Sequence, residues 1–190
     1  MKIGVLDAIG YCCIALAILW LVGMVFTKPA VRAQSAGSRL FHVSLALLGG
    51  LFIGGAFARD TWMSARFVPD THFVEWVGLA LTILGCLLAA WARITLGGNW
   101  SGRATVKPGH ELIVKVPYAL ARHPIYTGIL LALAGTLLAY GQWRCVIGFA
   151  IILLALIVKM SQEERLMMQT FPQDYPDYRR RVKALIPGVF

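Results

Sequence analysis

Five apolar stretches, at 8–26, 40–58, 73–94, 125–140 and 143–160, leave this chain of 190 residues few ways to fold. Each approaches the roughly 20 residues that cross about 30 Å of hydrocarbon at about 1.5 Å per residue. A backbone in lipid must satisfy its own N–H and C=O groups, so the stretches predict helices. With little else in the sequence, the expected fold is an all-α integral membrane protein with about five transmembrane helices. Composition agrees: 58% of residues are hydrophobic and 14% charged, where soluble domains average about 25% charged. No basic soluble domain remains once the stretches are removed. The net charge of +9 therefore points to lipid headgroups or an anionic ligand, not to nucleic acid. Cys12, Cys13, Cys86 and Cys145 fall inside the stretches and read as small core residues, with neither a disulfide framework nor a metal site expected. The run after Lys2 is long and lacks a small-residue cleavage pattern, so it reads as a retained first span.

The chain reads as one membrane-embedded domain, 1–190, with three spans in 1–94 and a catalytic half in 95–190. Lys28-Pro29 closes the first span, Arg59-Asp60 closes the second, and Pro124 opens the fourth as a first-turn residue. Only Gly141 and Gln142 separate the last two spans, which predicts a tight antiparallel helical hairpin over 125–160. Gly49-Gly50 and Gly54-Gly55 would let the second span approach another helix closely, within or between chains. Orientation follows from the basic residues. Lys2, Arg59, Arg66 and Arg144 fall on one side. The other fourteen of the eighteen fall on the side of the first loop, the third loop and the C-terminus. The positive-inside rule then places the N-terminus outside and the C-terminus in the cytoplasm.

The substantial polar segments, 95–123 and 161–190, both fall on that basic side. The first carries Arg103, Gly109-His110-Glu111-Leu112-Ile113, Val116-Pro117-Tyr118 and Arg122-His123-Pro124-Ile125-Tyr126-Thr127-Gly128. Its glycines and prolines favour turns, and the polar side chains between them suit a loop folded around a polar ligand. The second begins Lys159-Met160-Ser161-Gln162-Glu163-Glu164. If the helix continues, Lys159 and Glu163 share a face one turn apart. Adjacent carboxylates at the edge of hydrocarbon need partners or a function. Alternatively, Glu163 pairs with Lys159 while Glu164 sits in water. The run from Phe171 through Tyr175 and Tyr178 to Arg179-Arg180-Arg181 reads as an interfacial tail, its arginines against anionic lipid. Neither His110 nor His123 has a second His or a Cys at metal-ligand spacing, so no metal is expected.

Taken in order, the 109–128 block, Glu163-Glu164, Phe171, Tyr175, Tyr178 and Ile186-Pro187 resemble the isoprenylcysteine carboxyl methyltransferase family. More widely they resemble the membrane methyltransferases related to phospholipid N-methyltransferases. The likeness covers roughly 93–187. It departs at Val116, where the family commonly has Gly, and at Lys159, where eukaryotic members carry Arg. The resemblance implies S-adenosylmethionine as methyl donor, held by the loop and the C-terminal helix without a dinucleotide-binding fold. Donor contacts would be Arg103, His110, Glu111, Leu112, Ile113, Tyr118, His123, Pro124, Ile125, Tyr126, Glu163 and Glu164. Lys159 and Glu163 would be catalytic. The implied acceptor is a membrane-embedded, lipid-like carboxylate of the isoprenylcysteine type, on a protein or a small molecule. A phosphatidylethanolamine-type amine, sterol-reductase-like chemistry and a non-enzymatic lipid-binding scaffold remain as alternatives.

Overall fold

A computed structural model describes residues 4–25, 32–33, 36–57, 61–99, 105–106 and 112–189. Five long helices fall on the five apolar stretches: α1 Val5–Val25, α2 Ala36–Gly54, α3 His72–Leu96, α4 Pro124–Tyr140 and α5 Trp143–Thr170. A short α6, Asp174–Arg181, follows. The all-α expectation holds apart from a two-residue antiparallel ladder pairing Arg32–Ala33 with Thr105–Val106.

Local chemistry sets the helix ends. The Thr71 hydroxyl accepts from the Val74 amide and caps α3. Pro124 occupies the first turn of α4, where its missing N–H costs nothing, and Gly141 ends that helix in the left-handed region at φ 61°. By length and composition α1, α3 and α5 qualify as membrane-crossing helices, while the apolar parts of α2 and α4 are shorter. Leu21, Leu47 and Leu87 are each more than 60% exposed on these helices. Such a surface is stable only against hydrocarbon, and the chain is an integral membrane protein.

Small residues govern how the helices meet. A Cβ on Gly85 would lie 2.5 Å from the Gly128 carbonyl oxygen, and one on Gly128 would lie 2.5 Å from the Ala89 nitrogen. Gly78 and Gly135 make the same kind of approach further along. Glycines on both helices thus bring α3 and α4 into backbone contact. Thr82 donates to the carbonyls of Gly78 (2.9 Å) and Ala132 (3.2 Å) within that contact. On the other side of the bundle, Gly49 of α2 meets Gly148 and Ile152 of α5. The predicted tight pairing of α4 with α5 is therefore refined: two residues join them, but their backbone-close partners are α3 and α2. Gly85→Ala should force α3 and α4 apart at a cost of about 1–3 kcal/mol. A thermal unfolding midpoint in detergent equal to that of the parent protein would refute this.

Arginines close the helix ends. Arg93 of α3 donates to the Gly23 carbonyl of α1 at 2.6 Å, and Arg66 donates to the Tyr140 carbonyl of α4 at 2.9 Å. Arg144 of α5 reaches the Phe52 and Ile53 carbonyls of α2. Each guanidinium donates to carbonyls in the last turn of a neighbouring helix, where intrahelical donors run out. Contacts of Gly23 with Arg93, Tyr118 with Ala92, Ser38 with Gln162 and Tyr126 with Glu163 gather the ends of α1, α3 and α5 with the starts of α2 and α4. This end of the bundle carries the candidate site.

Candidate functional site

The last turns of α5, from Lys159, run past the apolar part of that helix and bring polar side chains against the start of α4. Lys159 and Glu163 lie one turn apart as the spacing predicts, with Nζ 3.9 Å from Oε1. Tyr126 donates its hydroxyl to Glu163, with both carboxylate oxygens 2.7 Å away. His123 stands between the two glutamates: Nδ1 is 3.7 Å from Glu163 Oε2 and Nε2 is 3.3 Å from Glu164 Oε1. Its ring lies parallel to Tyr126, with centroids 5.4 Å apart. Lys159 Nζ sits 5.5 Å from the Tyr126 ring centroid. Two helix-spaced pairs, Lys159 with Glu163 and His123 with Tyr126, thus close into one cluster.

Glu164 has a different environment. Arg122 donates to Oε1 through Nε at 2.8 Å and through Nη2 at 2.5 Å, and Arg179 Nε is 3.3 Å from Oε2. The side chain is 12% exposed, so it does not sit in water. Burial works to raise its pKa, but the hydrogen bonds from His123 and Arg122, with the charges of both, hold it at about 2. Glu164 is therefore already partnered by protein cations. Glu163 instead receives a neutral hydroxyl, with the His123 ring nitrogen at 3.7 Å and the Lys159 ammonium at 3.9 Å.

The C-terminal segment is fastened to this cluster. Arg122 also donates to the carbonyls of Arg179 and Val182, and the Arg122 and His123 amides donate to the carbonyls of Lys183 (2.8 Å) and Ala184 (2.9 Å). Thr127 donates to the Leu185 carbonyl at 2.8 Å. Tyr178 donates to the Tyr118 carbonyl at 2.7 Å, and burial pushes its hydroxyl up to about 12, so it remains a donor at neutral pH. This corrects the reading of Tyr175 and Tyr178 as part of an interfacial tail. Tyr175 and Tyr178 are buried, Arg179 pairs with Glu164, and Arg180 pairs with Asp177. Arg122 and Arg179 were missed as site residues because their partner is distant in sequence. The one available signal was a carboxylate pair too close to hydrocarbon to stand alone.

Of the remaining predicted donor contacts, Tyr118, Pro124 and Ile125 are buried. Tyr118 and Ile125 share a core with Tyr126, Met160 and Leu185, against which Ile113 packs. Leu112 is half-buried at the start of this segment. Arg103, His110 and Glu111 lie outside the described residues. Among the described residues no group of His, Cys, Asp and Glu is arranged to hold a metal ion.

Comparison with known proteins places this architecture. Residues 76–169 match the model of the isoprenylcysteine carboxyl methyltransferase family. The chain is 30% identical to the probable protein-S-isoprenylcysteine O-methyltransferase of Oryza sativa subsp. indica, over 64% of this chain and 65% of that protein. It is likewise 30% identical to protein-S-isoprenylcysteine O-methyltransferase B of Arabidopsis thaliana, over 65% of this chain and 66% of that one. The chain thus spans slightly less than two thirds of the length of these relatives. A solved structure of the eukaryotic intramembrane Ras methyltransferase, isoprenylcysteine carboxyl methyltransferase, superposes with a TM-score of 0.55 at 26% identity, covering 84% of this chain and 55% of that one. The matched region takes in most of α3, all of α4 and nearly all of α5 with both glutamates, and over it the chain is similar to the isoprenylcysteine carboxyl methyltransferase family.

Proposed function

We propose that this protein transfers a methyl group from S-adenosylmethionine to the carboxylate of a lipid-like, isoprenylcysteine-type acceptor. The observation that carries the reading is the asymmetry of the glutamates: Glu164 is matched by Arg122 and Arg179, while among the described residues Glu163 faces the Tyr126 hydroxyl, the His123 ring and the more distant Lys159 ammonium. The residues fit the donor. Glu163 suits an ammonium, His123 and a nearby basic side chain suit a carboxylate, and Leu112 and Ile113 offer an apolar wall for adenine. Arg103, His110 and Glu111 would complete that cradle from the third loop.

S-adenosylmethionine supplies a methyl group on a sulfonium that is already a good leaving group. The protein's share is then alignment and exclusion of water, worth together up to about 7–11 kcal/mol of barrier. An acceptor carboxylate has a reference pKa of about 3.5 and is ionised at neutral pH, so no general base is required. Lys159 would hold it as a point charge beside Glu163. A cation at this position favours an anionic acceptor over an amine. We place five spans in the membrane, with the N-terminus outside and the site on the cytoplasmic face. The donor would reach that face from the cytosol, and the acceptor would arrive sideways from the bilayer.

Calorimetry on detergent-solubilised protein tests the reading. Saturable binding of S-adenosylmethionine or its demethylated product is expected, followed by base-labile methyl ester formation on a prenylated thiol acid. Absence of saturable donor binding would sink it.

A further inference from the structure

A second polar cluster meets α5 one residue before the glutamates, on its contact with α2. Ser38 and His42 are one turn apart on α2, and both reach Gln162. Ser38 Oγ donates to Gln162 Oε1 at 2.9 Å, and His42 Nε2 is 3.2 Å from the same oxygen and 3.3 Å from Ser38 Oγ. His42 is buried, so this contact is shielded from water, where hydrogen bonds are stronger. All of α2 lies outside the 76–169 region that matches the methyltransferase family.

The close packing of α2 on α5 sets their separation and leaves rotation to other contacts. Gly49 approaches Gly148 and Ile152, at least ten residues back along α5 and so about 15 Å or more from Gln162. Apolar burial is non-directional, whereas a hydrogen bond weakens steeply off its axis. Around α5, Gln162 lies about 60° to one side of Lys159 and Glu163 about 40° to the other. The turn that carries Lys159 is therefore held on one flank by Tyr126 of α4, through Glu163, and on the other by α2, through Gln162. Lys159 itself makes longer approaches, 3.9 Å to Glu163 and 5.5 Å to the Tyr126 ring centroid, so the helix sets where its ammonium lies. At a side-chain radius of about 5–6 Å, each 10° or so of rotation moves a group by about 1 Å.

We infer that Ser38, His42 and Gln162 brace the last turns of α5 and are positioning residues that aim Lys159 at the acceptor carboxylate. This rests on the methyl-transfer reading above. The two flanks then divide the work. The donor side is fixed from α4 through Tyr126 and His123, and the acceptor side is fixed from α2 through Gln162. Without the brace the turn swings about the Tyr126–Glu163 hydrogen bond, so transfer suffers while donor binding is kept.

The test uses three variants of the full chain in detergent: Gln162→Leu removes both contacts, Ser38→Ala removes one, and Ser38→Thr keeps the hydroxyl. In Gln162→Leu, kcat for methyl ester formation on a prenylated thiol acid should fall about 10–100-fold, the loss expected from a displacement near 1 Å. Ser38→Ala should lose less, and Ser38→Thr should stay close to the parent. Calorimetric affinity for S-adenosylhomocysteine should match the parent in all three. Independently of activity, the amides of 159–163 should exchange with deuterium faster in Gln162→Leu, while those of α3 and α4 keep their rates. Unchanged kcat, or unchanged exchange over 159–163, would overturn the inference. So would a kcat loss that tracks the unfolding midpoint across the variants, or one matched by an equal loss of donor affinity. Absence of methyl transfer by the unaltered protein would instead strike the methyl-transfer reading, and the exchange measurement would still decide whether the brace exists.

Discussion

Glu163→Gln should weaken binding of S-adenosylmethionine or S-adenosylhomocysteine by about 10–150-fold, the cost of losing a charged hydrogen-bond acceptor worth about 1.5–3 kcal/mol. The change is nearly isosteric. A glutamine oxygen can still accept from the Tyr126 hydroxyl, 2.7 Å away in the parent protein, so thermal stability should hardly move. Tyr126→Phe serves as the companion variant. It removes the hydroxyl but leaves the carboxylate charged, and the loss of donor affinity should be much smaller. Calorimetry on both variants separates charge from positioning. Unchanged donor affinity in Glu163→Gln would eliminate this residue as the ammonium partner, whatever happened to turnover.

Arg122→Met should have the largest effect on the folded state. The Arg122 side chain is 9% exposed and meets Glu164 at 2.5 Å, and breaking one half of a buried ion pair costs about 3–5 kcal/mol. The loss should be local first, because the same guanidinium reaches the carbonyls of Arg179 and Val182. The amides of Arg122 and His123, which donate to Lys183 and Ala184, should exchange with solvent deuterium well ahead of those in α3 and α4. Pairing the change with Glu164→Leu should recover part of the loss, since two apolar side chains leave no uncompensated buried charge. Exchange at residues 122–123 that is indistinguishable from the parent would show that the C-terminal segment is held by other contacts.

The helices were readable from the chain because what makes them is local. An uncharged run near 20 residues long, a proline at a first turn and a glycine at a helix end act through their own backbone, and the boundaries predicted for the fourth helix agree with α4 to one residue. The Lys159–Glu163 neighbourhood was equally legible, since one turn of helix fixes it. The family resemblance followed from an ordered set of residues in one half of the chain. The sequence by itself thus determined an all-α membrane protein, which half holds the candidate chemistry and which residues to examine.

Only the tertiary structure decided which glutamate is committed elsewhere. Glu163 and Glu164 are adjacent and chemically identical, yet helix rotation of about 100° per residue sends them to different neighbours. One meets Tyr126, and the other meets Arg122 and Arg179 from segments 42 and 15 residues away. The same applies to the paired glycines of the second span. Gly49 packs on α5, whereas Gly50 and Gly54 have open space around a would-be Cβ. It applies again to His42, whose partner Gln162 lies 120 residues along the chain. Charge pairing and close packing depend on distances between elements, and hydrophobic pattern sets only which face of an element is buried, not which distant residue will meet it.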